Sequence, residues 1–400
     1  MKRRIALAAL AGTLLISNMN VFAETDQKDT MFSDGVNQLA SEIYGEMDAE
    51  GNVFFSPYSI SVALSMLNLE ADGETKAQIE DVLGIEDMDE WNRQAAEYIK
   101  KSGRDGAVVE TANGMWISKD LQLCEDAEKN VLDPMKELFE GEITQADLEK
   151  DKEKVLKDIN SWVSGHTDGM IDPFLEELPN GTASILINAV YFDGKWSLPF
   201  DEERTEKSTF YGTEKESEID MMAQEGSFFY LENEDYQAIQ LPYGDGGIVM
   251  NLLLPKDTDK PIEEWYRDLG KDQTEIWKEL NEAESADMEV VKIPKFSLEC
   301  SIPDLDGIMK ELGMTDAYST DADFSRLADG LQVDSMLHKA KLEVSEQYTK
   351  ASAVTGIISK MSAIIEEEEK PEFVADHPFM FTIQDKENDM ILFMVNVNQL

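Results

Sequence analysis

The run ASILINAVYF at residues 183–192 constrains this chain more than any other stretch. It is apolar at nearly every position, the pattern of a strand buried on both faces. The rest of the sequence supplies helices and strands in no regular alternation. NVFFSPYSISVALSMLNLEADGETKAQIEDVLGI (52–85) reads as a short buried strand, a turn at Ser56-Pro57 and a helix. Ser caps the free amides of a helix start, and Pro at the first turn needs no donor. A second helix is predicted from Thr75 to Leu83, and Val36, Leu39, Ala40, Ile43 and Tyr44 recur at helical spacing after a polar start at 24–34. Residues 110–123 alternate as a strand. Residues 126–175 are charged and mostly helical in pattern, with a break at SGHTDGM (164–170). Helical pattern returns at 260–283 and 303–313. Strands dominate beyond residue 205, among them EVVKIPKFSLE, and the chain closes with FMFTIQ and MILFMVNV around the turn DKEND. With no repeat and no linker, one large mixed α+β domain is expected.

Before those last strands lies LEVSEQYTKASAVTGIISKMSAIIEEEEKPEF, residues 342–373. Its apolar residues have no helical spacing, and it is too polar for a core strand. Structureless loops of about 25 residues inside domains are uncommon, and they are functional or disordered. Small residues fill its front half, and Glu366 to Glu369 follow behind.

The N-terminus has a basic head (Lys2, Arg3, Arg4), an apolar run from Ile5 to Ile16, and Val21-Phe22-Ala23. That is the form of a secretory signal peptide over residues 1–23, cut after Ala23, so a secreted protein is expected. No later segment reaches the roughly 18 apolar residues of a membrane span. Against 35 Lys+Arg stand 83 Asp+Glu, a net charge of -48. Such a chain repels nucleic acid and anionic lipid and attracts basic proteins. Two cysteines, Cys124 and Cys300, do not make a disulfide framework; one bridge or two buried thiols both fit.

Enzyme motifs are missing: there is no HExxH, CxxC, GxSxG or P-loop. The three histidines are His166, His338 and His377. His166 sits in a helix break. His338 and His377 read as structural hydrogen-bonding residues rather than general bases. DADFSRLADG lacks the glycine of a calcium loop. No catalytic residue, metal or cofactor is expected.

Seven segments, taken together and in order from about residue 35 onward, resemble the serpin family: NVFFSPYSISVALSMLNLEADGETKAQI, INSWVSGHTDGMI, NAVYFDGKWSLPF, IQLPYGDGGIVMNLLLPKD, KIPKFSLE, ADFSRLADGLQVDSMLHKAKLEV and FVADHPFMFTIQDKENDMILFMVNV. The resemblance implies the serpin fold over residues 24–400: three β-sheets, eight to nine helices and an exposed reactive loop at about 346–372. It implies a monomer that inhibits serine proteases by suicide. The protease cuts the loop, and the cut loop inserts as a strand into the central sheet with the enzyme attached. A non-inhibitory binding or carrier module is the alternative. The leader and the lack of a disulfide framework fit a bacterial exporter.

The same resemblance carries over site residues. Counting from Glu346 by family spacing puts the scissile bond at Ser362-Ala363, with Met361-Ser362 one residue away. A small or medium apolar residue at the cut suits elastase-like or subtilisin-like proteases. Inserted strands alternate faces, so Thr349, Ala351, Ala353 and Thr355 would face the core, all small and uncharged. Lys350, Ser352, Val354 and Gly356 would face outward. Tyr348 departs from the family, which has Gly there to ease the turn into the loop. Glu346 would pair with Lys295. Ser56, Asn188 and His338 would form a buried hydrogen-bonded cluster beneath the sheet, and Trp196 would sit at the sheet's opening. Apart from the resemblance, the charge of the Glu366–Glu369 run reads either as a solvated, aggregation-resistant stretch or as a means of steering basic proteases.

Overall fold

The structure is a computed structural model. It describes residues 30–47, 51–101, 103–104, 106–178, 181–269, 275–302, 304–346 and 370–400. Along the chain these form α1 (Met31–Glu46), β1 (Val53–Phe55), α2 (Pro57–Glu70), α3 (Gly73–Val82), α4 (Met88–Lys101), β2 (Gly103–Arg104) and β3 (Ala107–Ser118). There follow α5 (Asp133–Phe139), β4 (Glu142–Ala146), α6 (Lys152–His166), β5 (Ser184–Gly194), β6 (Glu206–Tyr211), β7 (Glu216–Glu232), β8 (Tyr236–Tyr243) and β9 (Ile248–Pro255). The last third holds α7 (Ile262–Asp268), α8 (Glu275–Glu282), β10 (Ser285–Pro294), β11 (Phe296–Ser301), α9 (Leu305–Glu311), β12 (Ser335–Val344), β13 (Glu372–Val374), β14 (Phe379–Asp385) and β15 (Met390–Val397).

One sheet runs β11-β12-β5-β3-β2, with β4 on β3. The second runs β1-β15-β14-β9-β8-β7-β10-β13, with β6 on β7. Two of the three expected sheets are joined within it. The 17-residue β7 pairs with β6 at Glu216–Met221, with β10 at Met221–Phe229 and with β8 only at Phe229–Glu232.

The ASILINAVYF run is β5, and both of its faces are covered. Leu186, Val190 and Phe192 enter the main core, while Ile185, Ile187 and Ala189 pack under α6 against Val155, Ile159 and Val163. α2 starts as its caps dictate: Ser56 Oγ accepts from the Ser59 amide at 3.0 Å, with Pro57 at the first turn. Every residue of α2 is buried. β15, β5 and β3 together with α1, α3 and α5 enclose this helix.

Three sequence readings are refined. α1 starts at Met31, inside the stretch read as a polar start. The charged 126–175 region holds a strand, β4, which joins β3 in parallel register (Glu142 opposite Gly114). EVVKIPKFSLE is two strands in two different sheets. It breaks at Lys295, whose amide donates to the Asp220 carbonyl at 2.8 Å while β11 passes to β12. Cys124 and Cys300 are free thiols. Cys124 Sγ donates to the Ser325 carbonyl, and burial pushes the Cys300 thiol up to about 11.

Glu70, at the end of α2, is 1% exposed, and neither carboxylate oxygen has a partner among the described residues. Burial holds its carboxyl well above the usual range and favours the protonated form in the folded protein. An acid whose folded value is raised stabilises most at low pH and loses up to about 1.4 kcal/mol per pH unit above its ordinary value. Glu70→Gln should therefore raise the urea midpoint at pH 7.5 and leave it nearly unchanged at pH 4.5. A gain of equal size at both pH values would mean that the effect does not come from the titration of Glu70.

Candidate functional site: a pinned strand end and a latched seam

β12 leads directly into residue 347 and is held at its end from four directions. The indole N–H of Trp196 donates to the Ser345 carbonyl at 2.8 Å. The Phe200 amide donates to the Glu346 carbonyl at 3.2 Å. Lys295 Nζ lies 2.7 Å from Glu346 Oε2, and Thr205 Oγ1 donates to Glu346 Oε1 at 2.8 Å. Trp196 is itself fixed, stacked on Tyr243 at 4.3 Å and edge-on to Phe200. The Glu346 side chain is 6% exposed against 45% for Lys295, so the acid half of this pair is buried. Burial alone would push the Glu346 carboxyl up. The bonds from Lys295, from its own backbone and from Thr205 outweigh burial and hold it below the usual range.

Below this anchor, β12 and β5 form a parallel pair from Ser335 opposite Ile185 to Leu342 opposite Phe192. No strand stands between them. His338 faces Asn188 in that register, and the two side chains bond across the seam through His338 Nδ1 and Asn188 Oδ1. His338 Nε2 accepts from the Ser56 amide at 3.1 Å. That contact requires a lone pair on Nε2, so the ring proton sits on Nδ1 and points at Asn188. Asn188 Nδ2 donates to the Ser59 carbonyl at 3.0 Å and to Asn113 Oδ1 at 2.6 Å. Ser56 Oγ donates to the Leu392 carbonyl at 2.7 Å. The group ties β3, β5 and β12 to the start of α2. Full burial pushes the His338 imidazole down to about 3.

The opposite face of the seam is strapped. Leaving α6, residues 170–178 cross the sheet, and Ile171, Phe174 and Leu178 pack in the core that includes Ile185, Ile187 and Ala189. On the β12 side, Lys339 Nζ donates to the Pro173 carbonyl and Lys341 Nζ to the Met170 carbonyl, each at 2.9 Å. Glu299 of β11 pairs with both lysines, at 2.6 and 3.4 Å. The strap thus grips β5 by apolar packing and β12 by two ammonium groups.

The structure brings Ser56, Asn188 and His338 together, and it places Glu346, Lys295 and Trp196 together at the strand end. Tyr348, Thr349, Ala351, Ala353, Thr355, Met361, Ser362, Ala363 and Glu366–Glu369 lie outside the described residues. Sequence reading missed Thr205, Ser59, Asn113, Lys339 and Lys341. The period-2 pattern of HKAKLEV puts both lysines outward, but no local signal points to their carbonyl partners. Among the described residues no cluster of side chains is arranged to hold a metal, and no helix is long and apolar enough to cross a membrane.

The family profile described as Serpin (serine protease inhibitor) matches residues 34–400. An uncharacterised serpin-like protein of Thermococcus kodakarensis is 31% identical over 96% of this chain and 88% of its own length. The leukocyte elastase inhibitor of Bos taurus is 33% identical over 87% of this chain and 93% of its own. The thermophilic serpin tengpin, solved in its native state, superposes with a TM-score of 0.79 at 27% identity, covering 93% of this chain and 94% of its own. The chain belongs to the serpin family.

Proposed function

We propose that this serpin is a secreted inhibitor of serine proteases that traps its target by inserting the cleaved loop between β5 and β12. The observation that carries this reading is the seam. Two parallel central strands pair directly, and the buried His338–Asn188 pair interrupts the apolar packing along them. Buried hydrogen-bonded groups confer specificity and switching more than net stability. An incoming strand between β5 and β12 gains two new ladders of backbone bonds, and the fold stores that gain behind a barrier.

The chemistry follows from the loop. The protease serine attacks the carbonyl of Ser362, the Ala363 amine leaves, and an acyl ester joins enzyme and loop. Insertion then competes with hydrolysis of that ester. Glu346 is the pivot, since the strand up to it is pinned at Trp196, Phe200, Lys295 and Thr205. The small set Thr349, Ala351, Ala353 and Thr355 supports a strand that slides into a packed sheet. The residue at the cut favours elastase-like and subtilisin-like enzymes.

The test mixes the mature protein with an elastase, a subtilisin and trypsin, followed by denaturing gels and the mass of the released C-terminal peptide. A band near the sum of both masses is expected, with a peptide beginning at Ala363. Clean cleavage without that band would overturn trapping and favour the carrier reading, for which Tyr348 at the hinge is the support; Tyr348→Gly is then the next variant. Replacing Glu366–Glu369 by glutamine should slow association with a basic protease and flatten its salt dependence. An unchanged rate at low ionic strength would remove electrostatic steering from the account.

A further inference from the structure

The seam between β5 and β12 is clamped at its foot, below the ladder. The Asp334 carboxylate, one residue before β12, accepts through Oδ2 from the amides of Ala183 and Ser184 at the start of β5, the second at 3.0 Å. Ser184 is fully buried; its Oγ accepts from the Asp334 amide at 3.1 Å and donates to the Gln332 carbonyl. Gln332 Nε2 donates back to Asp334 Oδ1 at 3.1 Å. The outer edge of β12 is tied down at the same level, where Asp306 of α9 accepts from the Met336 amide at 2.7 Å and from Ser335 Oγ at 3.2 Å. The ladder itself begins only above this clamp, at Ser335 opposite Ile185.

Spacing along the chain gives the clamp a meaning. A loop that turns back at Glu346 and enters the seam runs antiparallel to β12. The even-numbered residues of β12 from Met336 to Val344 are buried, and the odd-numbered ones are not. The small uncharged set Thr349, Ala351, Ala353 and Thr355 meets those buried positions only if the turn holds an even number of residues, and two-residue turns are the commonest. Gln347 and Tyr348 would then form the turn, with Thr349 beside Glu346 and Lys360 beside Ser335. Met361 would reach Asp334, because Glu346 to Asp334 and Thr349 to Met361 are both 12 steps along the chain. Ser362, which carries the ester, falls just past the clamp. Opening the clamp would break its hydrogen bonds and expose no further ladder, so nothing compensates for their loss.

We propose that Asp334 is the positioning residue that stops insertion: with Ser184 it forms the floor of the slot, stays closed while the seam above it opens, and so fixes where the tethered protease comes to rest. The stop rests on the trapping reading and adds to it the depth of the inserted strand.

The experiment replaces the polar clamp by a covalent one, Ser184→Cys with Asp334→Cys, in a chain that also carries Cys124→Ser and Cys300→Ser. Each redox form is mixed with the elastase and the subtilisin, and denaturing gels give the ratio of cleaved to trapped inhibitor. The oxidised form should trap as the wild type does, because its floor stays shut. The reduced form has neither clamp and should raise that ratio about fivefold, the change that one lost hydrogen bond makes in a partition. Oxidising a pair within the ladder, Ile187→Cys with Leu337→Cys, should abolish trapping until the bridge is reduced. Loss of trapping in the oxidised clamp pair, restored by reduction, would overturn the stop and make Asp334 a bolt that insertion must draw. If the clamp pair does not oxidise, Asp334→Ala decides. A ratio equal to that of the wild type overturns the stop; the same rise, absent in Asp334→Asn, which keeps an acceptor, supports it. A wild type that is cleaved and leaves no trapped band overturns the trapping reading itself, whatever the variants do.

Discussion

Lowering the pH from 7 to 4 should weaken the β5–β12 seam by about 3 kcal/mol through His338 alone. The imidazole is pushed down to about 3 in the folded state, against an ordinary value of 6.5. A histidine depressed in this way lends its full stability above the ordinary value and loses it as pH falls toward the folded one. The structural cause is plain: a second ring proton on Nε2 would face the Ser56 N–H, which already donates there. The measurement compares urea midpoints of wild type and His338→Gln between pH 7 and 4. Glutamine offers one donor and one acceptor and gains no proton in that range. The carboxylates titrate in both proteins, so the difference isolates the histidine. If the two midpoints fall in parallel, His338 does not control the acid response.

On the proposed insertion mechanism, releasing the strap should have a comparable effect on rate. To admit a strand, β5 and β12 must separate by a further strand spacing, about 4.8 Å. The strap holds both, so that separation must break either its packing on β5 or the bonds from Lys339 and Lys341. Hydrogen bonds from charged groups contribute about 1.5–3 kcal/mol each. These lysines are 16% and 22% exposed, and Glu299 shares their charge. If about 2 kcal/mol of the barrier is lost, uncleaved insertion speeds up about 30-fold. Lys339→Met with Lys341→Met keeps the stems and removes the donors. Its activity against a protease, after holding at moderately raised temperature, should decay that much faster than wild type. Glu299→Gln leaves the carbonyl bonds in place and should decay at nearly the wild-type rate. Decay of the double variant within twofold of wild type would mean that the strap does not limit insertion.

Much of this site is legible in the sequence where local chemistry and long-range packing agree. Ser56-Pro57 starts a helix by capping alone, and the same Ser56 amide then serves the seam. The β5 run could only be an interior strand. The resemblance points to Glu346 and Lys295 as partners, though not to Thr205 or the backbone of Phe200. What the sequence leaves hidden is set by distant partners. β4 lies in a charged stretch and becomes a strand because the edge of β3 offers its backbone a ladder. KIPKF has one continuous strand pattern. It changes sheets at Lys295 because that backbone bonds to β7 while its side chain reaches the end of β12. The strap lysines carry no motif, since their acceptors are carbonyls that any residue would offer.

The enclosure of α2 also orders events in time. The helix emerges early from the ribosome, but its walls are β5 and β15, and its preceding strand β1 pairs with β15, Val53 opposite Asn396. At about 5–20 residues per second, the wait between those two strands is on the order of tens of seconds. During that interval a helix with no wet face of its own has α1, α3 and α5 beside it but lacks β15. Synthesis therefore runs well ahead of folding in this chain, and a nascent chain halted before Met390 should remain chaperone-bound and protease-sensitive throughout.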